Sequence, residues 1–163
     1  MPDSTPTVED VLGEFGPMLS RTVATYEHDR ALQQDLLQEI SIALWRSLAR
    51  WRGDGPLKGY VARIAHNCCA DHVARHAPRA ETELADSLVD PEHSPVEHAQ
   101  TQQSRRTLLE CVRLLPLGQR QVVVLSLEGF SLVEIAHALM IEQDATAQRM
   151  SRARRTLREL MSK

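Results

Sequence analysis

The stretch from Asp35 to Arg75 constrains the fold more than any other part of the chain. It reads DLLQEISIALWRSLARW, then RGDGPLKG, then YVARIAHNCCADHVAR. In the first segment Leu36, Leu37, Ile40, Leu44, Leu48 and Trp51 recur at three- and four-residue steps, the spacing that stacks side chains on one face of a helix. Asp35, Gln38, Glu39, Ser41 and Arg46 are left for the other faces. In the third segment Val61, Ile64, Ala65 and Cys68 form the buried side of a second helix. Arg63, Asn67, Asp71 and Arg75 step by four and line up on another face.

Between these helices Gly53, Asp54, Gly55, Pro56 and Gly59 break the pattern, so the segment is a loop that can bring backbone close to a ligand. Trp51, Arg52, Lys58 and Tyr60 surround it. Aromatic faces beside cations make a stacking platform with a phosphate clamp, the combination that holds unstacked bases of a single strand. The same residues also fit a plain interhelical turn with two core aromatics and solvated charges.

The flanks extend the helical reading. Residues 1–7 form a disordered lead-in with two prolines. Val8, Val11, Leu12 and Phe15 predict a short helix, and Gly16-Pro17 resets the chain before another helix through Leu19, Val23 and Tyr26. With the two central helices these would close a small all-helical domain over residues 8–77.

Charge is distributed unevenly along the 163 residues. Residues 1–80 carry 9 basic and 10 acidic side chains, 81–104 carry 6 acidic side chains and no Lys or Arg, and 105–163 carry 10 basic and 6 acidic. A basic C-terminal part is the electrostatic footprint of a nucleic-acid surface that the whole-chain net charge of −3 conceals. Residues 78–104, with Pro78, Pro91 and Pro95 among the acids, have the composition of a linker.

From Arg105 the helical period returns in Leu108, Leu109, Val112 and Leu115, until Pro116 interrupts it. A helix with Val122, Val123, Leu125 and Leu127 inward follows, then a turn at Gly129. Ser131 as N-cap, with Glu134 three residues later, opens the next helix. After the turn Met140-Ile141-Glu142 a last helix runs to about Leu160, with Thr146, Met150, Ala153, Leu157 and Leu160 inward and Gln148, Arg149, Arg152 and Arg155 pointing elsewhere. Residues 105–163 are therefore a helix-turn-helix domain whose last helix is shaped for the major groove. The fold class is all-α: two small helical domains joined by an acidic linker.

Three cysteines, two of them adjacent, make no disulfide framework, and no secretory leader opens the chain. The longest apolar run, around Val122–Leu127, is too short to span a bilayer. The expectation is a cytoplasmic, reduced protein with no membrane insertion. Cys68, Cys69, His72 and His76 lie close enough in sequence to suggest a small metal site, but one helix leaves the shell incomplete, and no metal or other cofactor is expected. No nucleophile–base pair or nucleotide-binding loop argues for an enzyme.

The motifs Asp35-Leu-Leu-Gln-Glu39, Leu44-Trp-Arg46, Trp51-Arg-Gly53 and Tyr60-Val-Ala-Arg-Ile-Ala65-x-Asn67-x-x-x-Asp71-His72-x-x-Arg75 resemble the core-binding and promoter-melting region of the extracytoplasmic-function (ECF) subfamily of bacterial RNA polymerase sigma factors. The pattern Leu115-Pro116-x-x-x-Arg120, Gly129-x-Ser131-x-x-Glu134-Ile-Ala136 and Arg149-x-x-Arg152-Ala153-Arg154 resembles the −35-binding region of the same family. LuxR-type regulators share much of that second motif, so a polymerase-independent helix-turn-helix regulator is the alternative reading.

The resemblance implies a non-catalytic subunit for transcription initiation. It implies docking of Asp35, Gln38, Glu39 and Trp45 on the largest subunit of core RNA polymerase. It gives contacts of Arg52, Asp54, Lys58, Tyr60, Arg63, Asn67 and Arg75 to the −10 element. It also gives contacts of Ser131, Thr146, Gln148, Arg149, Arg152 and Arg155 to the −35 element, with the C-terminal domain seated on the polymerase's docking flap. An anti-sigma factor is a further partner that the resemblance admits. Three departures stand out. Leu32, Gln33 and Gln34 occupy places where the family usually has further acids, implying a weaker grip on core. Ala62 stands where an aromatic is frequent, leaving Tyr60 to do more of the strand separation. Met140 replaces the usual glycine of the turn, where positive φ costs a non-glycine residue about 1–2 kcal/mol.

Overall fold

The computed structural model describes residues 5–76 and 96–163, and every regular element among them is a helix. In chain order they are α1 (Val8–Tyr26), α2 (Arg30–Leu48), α3 (Leu57–His76), α4 (Val96–Arg113), α5 (Leu117–Leu127), α6 (Leu132–Leu139) and α7 (Gln143–Met161). Most of the stretch read as an acidic linker lies outside the described residues; α4 begins inside it, at Val96.

Residues 8–26 form one helix, not two. Thr7 caps it reciprocally with Asp10, each side chain bonding the other's backbone N–H, and Pro17 sits inside without ending it. Proline removes one donor and crowds the preceding turn, but Val11, Met18, Leu19, Val23 and Tyr26 share one buried face across that point. Their packing outweighs the local defect, since each fully buried aliphatic side chain is worth about 1.5–3 kcal/mol.

In α2 the cap is Asp29, whose carboxylate accepts from Leu32 N–H at 3.0 Å, so Asp35 and Glu39 lie well inside the helix instead of at its start. Leu36, Ile40 and Leu44 are completely buried, as their spacing requires. Trp51 falls after the helix end, its N–H bonded to the Leu48 carbonyl at 3.2 Å. In α3 the inward face is Val61, Ala62, Ala65, His66, Cys69 and His72, so the buried cysteine is Cys69 and not Cys68. Two histidines can sit on that face because each has a hydrogen-bond partner there. The Tyr26 hydroxyl lies 2.7 Å from His66 Nδ1, and His72 Nε2 donates to Glu27 at 2.6 Å.

The C-terminal helices pack around α5. Val122, Val123, Val124 and Leu125 are all buried, which is a helix enclosed on every side: α6 and α7 cover one flank, α4 another, and α1 and α3 the remainder. Leu127, expected inward, is 60% exposed because it lies past the enclosed turn. Gly129, at φ 89°, makes the tight exit to Phe130, a backbone region open to glycine at little cost. Ser131 and Glu134 form the expected reciprocal cap on α6. Met140 takes φ 56°, ψ 45° at its end, the left-handed conformation the sequence demands of that turn.

A candidate nucleic-acid and polymerase interface

Three surfaces carry the residues singled out in the sequence. On α2, Asp35, Gln38, Glu39 and Trp45 are all exposed, Trp45 by 67%, with Ile42 exposed among them. A large indole held open to solvent on the same helix as two exposed carboxylates is the composition of a protein-docking face, since isolated chains seldom leave that much aromatic surface uncovered. A cleft of about 360 Å³ lies beside it, lined by Trp45, Leu48, Ala49 and the first residues of α1. Glu39 is paired with Arg75 of α3 at 2.9 Å. Both partners are exposed, so the pair contributes little to stability.

The second surface is the loop between α2 and α3 with the start of α3. Gly53 and Gly55 both adopt positive φ, 78° and 89°, which lets the loop double back between Arg52 and Pro56. Trp51 and Tyr60 lie 6.5 Å apart, their planes tilted by 49°. The Tyr60 hydroxyl donates to the Ser47 carbonyl at 2.8 Å, fixing the ring, while the buried Trp51 indole N–H has no partner among the described residues. Arg52, Asp54 and Asn67 are exposed. Ala62 is buried in the bundle.

Lys58 and Arg63 are engaged by the C-terminal helices. Lys58 Nζ donates to the Glu128 carbonyl at 2.8 Å and lies 4.8 Å above the Phe130 ring. Arg63 donates to the carbonyls of Ala138 and His137, each at 3.2 Å. Further contacts reinforce the same junction. Arg21 and the Glu128 carboxylate form a two-pronged pair with both bonds at 2.8 Å, which raises the arginine pKa further above its ordinary range. Arg113 donates to the Ala24 carbonyl at 2.8 Å. The Arg120 guanidinium lies 5.4 Å from the Tyr26 ring and donates to the carbonyls of Arg113 and Leu115; burial pushes its pKa down. None of the ties between the two halves is legible from periodicity, because the partners are far apart in sequence.

The third surface is α7 with the cap of α6. Ser131, Gln148, Arg152 and Arg155 are exposed, and Arg149 is half-buried across Gly118, where an added Cβ would come within 3.4 Å of the guanidinium. Thr146 is a correction: it is completely buried, and its hydroxyl donates to the Glu142 carbonyl at 3.0 Å, so it packs the helix-turn-helix instead of facing a groove. The geometry of α7 puts Thr146, Met150 and Ala153 on a single inward line, which its small polar side chain does not contradict.

Cys68, Cys69, His72 and His76 do not assemble a ligand set. Among the described residues no group of three or more His, Cys, Asp or Glu side chains is arranged for a metal. His72 and His76 rings stack 4.2 Å apart with His76 bonded to the His72 carbonyl, and burial pushes the Cys69 thiol far up, making it a packing residue. No helix of the described residues is long and apolar enough to cross a membrane.

Comparison with known proteins accords with this geometry. Residues 12–79 match the family model of Sigma-70 region 2, and residues 105–157 match Sigma-70, region 4. The probable RNA polymerase sigma factor RfaY of Xanthomonas campestris pv. campestris is 30% identical over 80% of this chain, which spans only 34% of RfaY. The RNA polymerase sigma factor CarQ of Myxococcus xanthus is 29% identical over 94% of this chain and 88% of its own length. The ECF RNA polymerase sigma factor BldN of Streptomyces coelicolor is 29% identical over 93% of this chain and 61% of its own. In fold, the chain superposes on CnrH, solved in complex with the cytosolic domain of CnrY, with a TM-score of 0.68 and 22% identity, covering 95% of this chain and 87% of that one. It superposes on the sigma factor RpoE of Bartonella quintana, solved with the anti-sigma factor NepR, with a TM-score of 0.67 and 18% identity, covering 94% and 98%. With a region 2 and a region 4 on one chain, and ECF sigma factors among its relatives, the protein belongs to the sigma-70 family as an ECF RNA polymerase sigma factor.

Proposed function

We propose that the chain works as a non-catalytic initiation subunit whose α2 face docks on the largest subunit of core RNA polymerase. Its α2–α3 loop and α3 then take the separated −10 strand, and α7 reads the −35 duplex from the docking flap. The observation that carries this is the exposure of Asp35, Gln38, Glu39 and Trp45 together on α2, in a chain that also presents Arg152 and Arg155 on a helix-turn-helix. A free regulator would have no use for the first surface. The polymerase-independent reading is accordingly not favoured, since it leaves the region 2 half unexplained.

The division of labour follows from the side chains. Arg52 and Lys58 supply charge for phosphates, Asn67 an amide for a base edge, and Tyr60 with Trp51 a stacking pair for an unpaired base. In α7, phosphate contacts supply most of the affinity and the few base contacts the sequence choice. An anti-sigma factor is a partner that fits this assignment, as NepR does for RpoE.

Co-migration of the chain with bacterial core RNA polymerase on a sizing column tests the docking face. Wild type should co-migrate, and the Asp35→Lys, Glu39→Lys double variant should not. A double variant that binds core as tightly as wild type would remove α2 from the interface.

A further inference from the structure

A carboxylate stands at the end of α7 that a recognition helix turns toward the bases. Asp144 lies in the first turn of that helix and is exposed. Glu142 does not share its direction: it comes four residues before the buried Thr146, on the same line, and its carbonyl accepts the Thr146 hydroxyl. Thr146, Met150 and Ala153 hold the inner line of α7. Asp144, Gln148 and Arg152 follow at four-residue steps on the side away from it, all exposed. Among the described residues α7 packs on α4, α5 and α6 alone.

Asp144 forms no salt bridge and no side-chain hydrogen bond among the described residues. A carboxylate in a first turn is favoured by the helix dipole whatever the helix binds. Against DNA, however, it faces two rows of phosphates, and that repulsion is offset only where a base edge supplies a donor. An ionised carboxylate can only accept. In the major groove guanine presents two acceptors, thymine an acceptor beside a methyl group, adenine a donor next to an acceptor, and cytosine a lone amino donor. Cytosine is therefore the edge that suits Asp144. Gln148, whose amide both donates and accepts, suits adenine N6 and N7. Four residues advance a helix by about 6 Å, less than two base-pair steps of about 3.4 Å each, so both side chains fall within one short run of the groove.

We propose that Asp144 is a specificity-determining residue of the −35 interface, accepting from the amino group of a cytosine while Gln148 takes an adenine no more than about two base pairs away. This rests on the assignment of α7 to the −35 duplex. Asp144 acts by exclusion as well as by contact. Guanine or thymine at its position brings an acceptor against the carboxylate, so the wrong base loses more than a missing hydrogen bond.

The test uses the full-length chain assembled with core polymerase and a pool of promoter duplexes randomised across the −35 element. Wild type should enrich cytosine at one position, with adenine within two base pairs of it. Asp144→Asn keeps the side chain's size and exchanges one carboxylate oxygen for an amide donor. It should reduce the cytosine preference at that one position roughly fivefold or more, shifting it toward adenine, while every other position keeps its enrichment. Asp144→Ala should lose the same preference and bind mismatched duplexes more tightly, because the repulsion goes with the carboxylate. A wild-type pool without that cytosine, or an Asp144→Asn pool identical to wild type, would overturn the proposal. Thermal unfolding of each variant separates base reading from the helix dipole: a carboxylate that serves only α7 would lower the unfolding midpoint on substitution and leave base choice untouched, which also overturns it. Should the wild-type pool show no enrichment anywhere across the −35 element while core co-migration persists, the assignment of α7 itself fails, and this proposal with it.

Discussion

The Tyr26 hydroxyl and His66 Nδ1 meet at 2.7 Å inside the N-terminal bundle, with both rings buried and set edge to face at 80°. Burial pushes the tyrosine pKa well up and lowers the histidine to about 4, so both groups are neutral in the folded protein. The histidine is the more consequential, because unfolding releases it to an ordinary pKa of 6.5. Between pH 6.5 and about 4 the unfolded chain therefore holds more protons than the folded one. Stability is fully present above 6.5, falls as pH drops through this window, and levels off below the folded value. Urea midpoints of wild type should decline across that window. His66→Asn should flatten the decline, and an unchanged slope would show that other groups cause it.

Removing the tyrosine hydroxyl tests the same contact at neutral pH. Tyr26→Phe leaves a buried imidazole nitrogen without its partner, which costs about 1–3 kcal/mol. Equilibrium unfolding at pH 7.5 measures it, and a loss under a few tenths would mean that water or a shifted ring replaces the bond.

Met140 is a non-glycine residue at φ 56° with its side chain 76% exposed. Met140→Gly removes the left-handed penalty and sacrifices almost no packing, so the C-terminal half should gain on the order of 1 kcal/mol. Thermal or urea unfolding reads this directly.

How much of this is legible in the sequence depends on what decides each feature. The capping of α6 by Ser131 and Glu134 and the strain at Met140 are local, and the residues alone show them. The period of α2 places Leu36, Ile40 and Leu44 correctly for the same reason. Pro17 reads as a break because proline chemistry is local, whereas the continuity of α1 comes from tertiary packing. Cys68 and Cys69 are adjacent on α3, and only the partner helices decide which one turns inward. Motif position assigns Thr146 to DNA, although its inward place is also readable from the spacing of Met150 and Ala153. The ties of Lys58 and Arg63 to Glu128 and α6 are beyond reach, since 70 or more residues separate the partners.

Gln34 is exposed one residue before Asp35, at a place where an added carboxylate would extend the acidic face of α2. Gln34→Glu should tighten binding to core polymerase by roughly twofold to fivefold at low salt, and the gain should shrink as salt is raised. A titration showing no gain would dissociate α2 acidity from docking strength.

Arg152 is exposed on α7 and forms no salt bridge among the described residues. Arg152→Ala should weaken binding of the polymerase complex to every −35 sequence. If its contact is a phosphate, the slope of log affinity against log salt should fall by about 1. A loss confined to one base position with an unchanged slope would instead make it a base contact.

The enclosure of Val122–Leu125 gives the junction of the two halves a thermal character. An apolar surface is held by a force that weakens on cooling, while the Arg21–Glu128 pair beside it is screened by salt. Temperature and ionic strength thus act on the same junction through different residues, and cold, saline conditions are those under which its halves are least firmly joined.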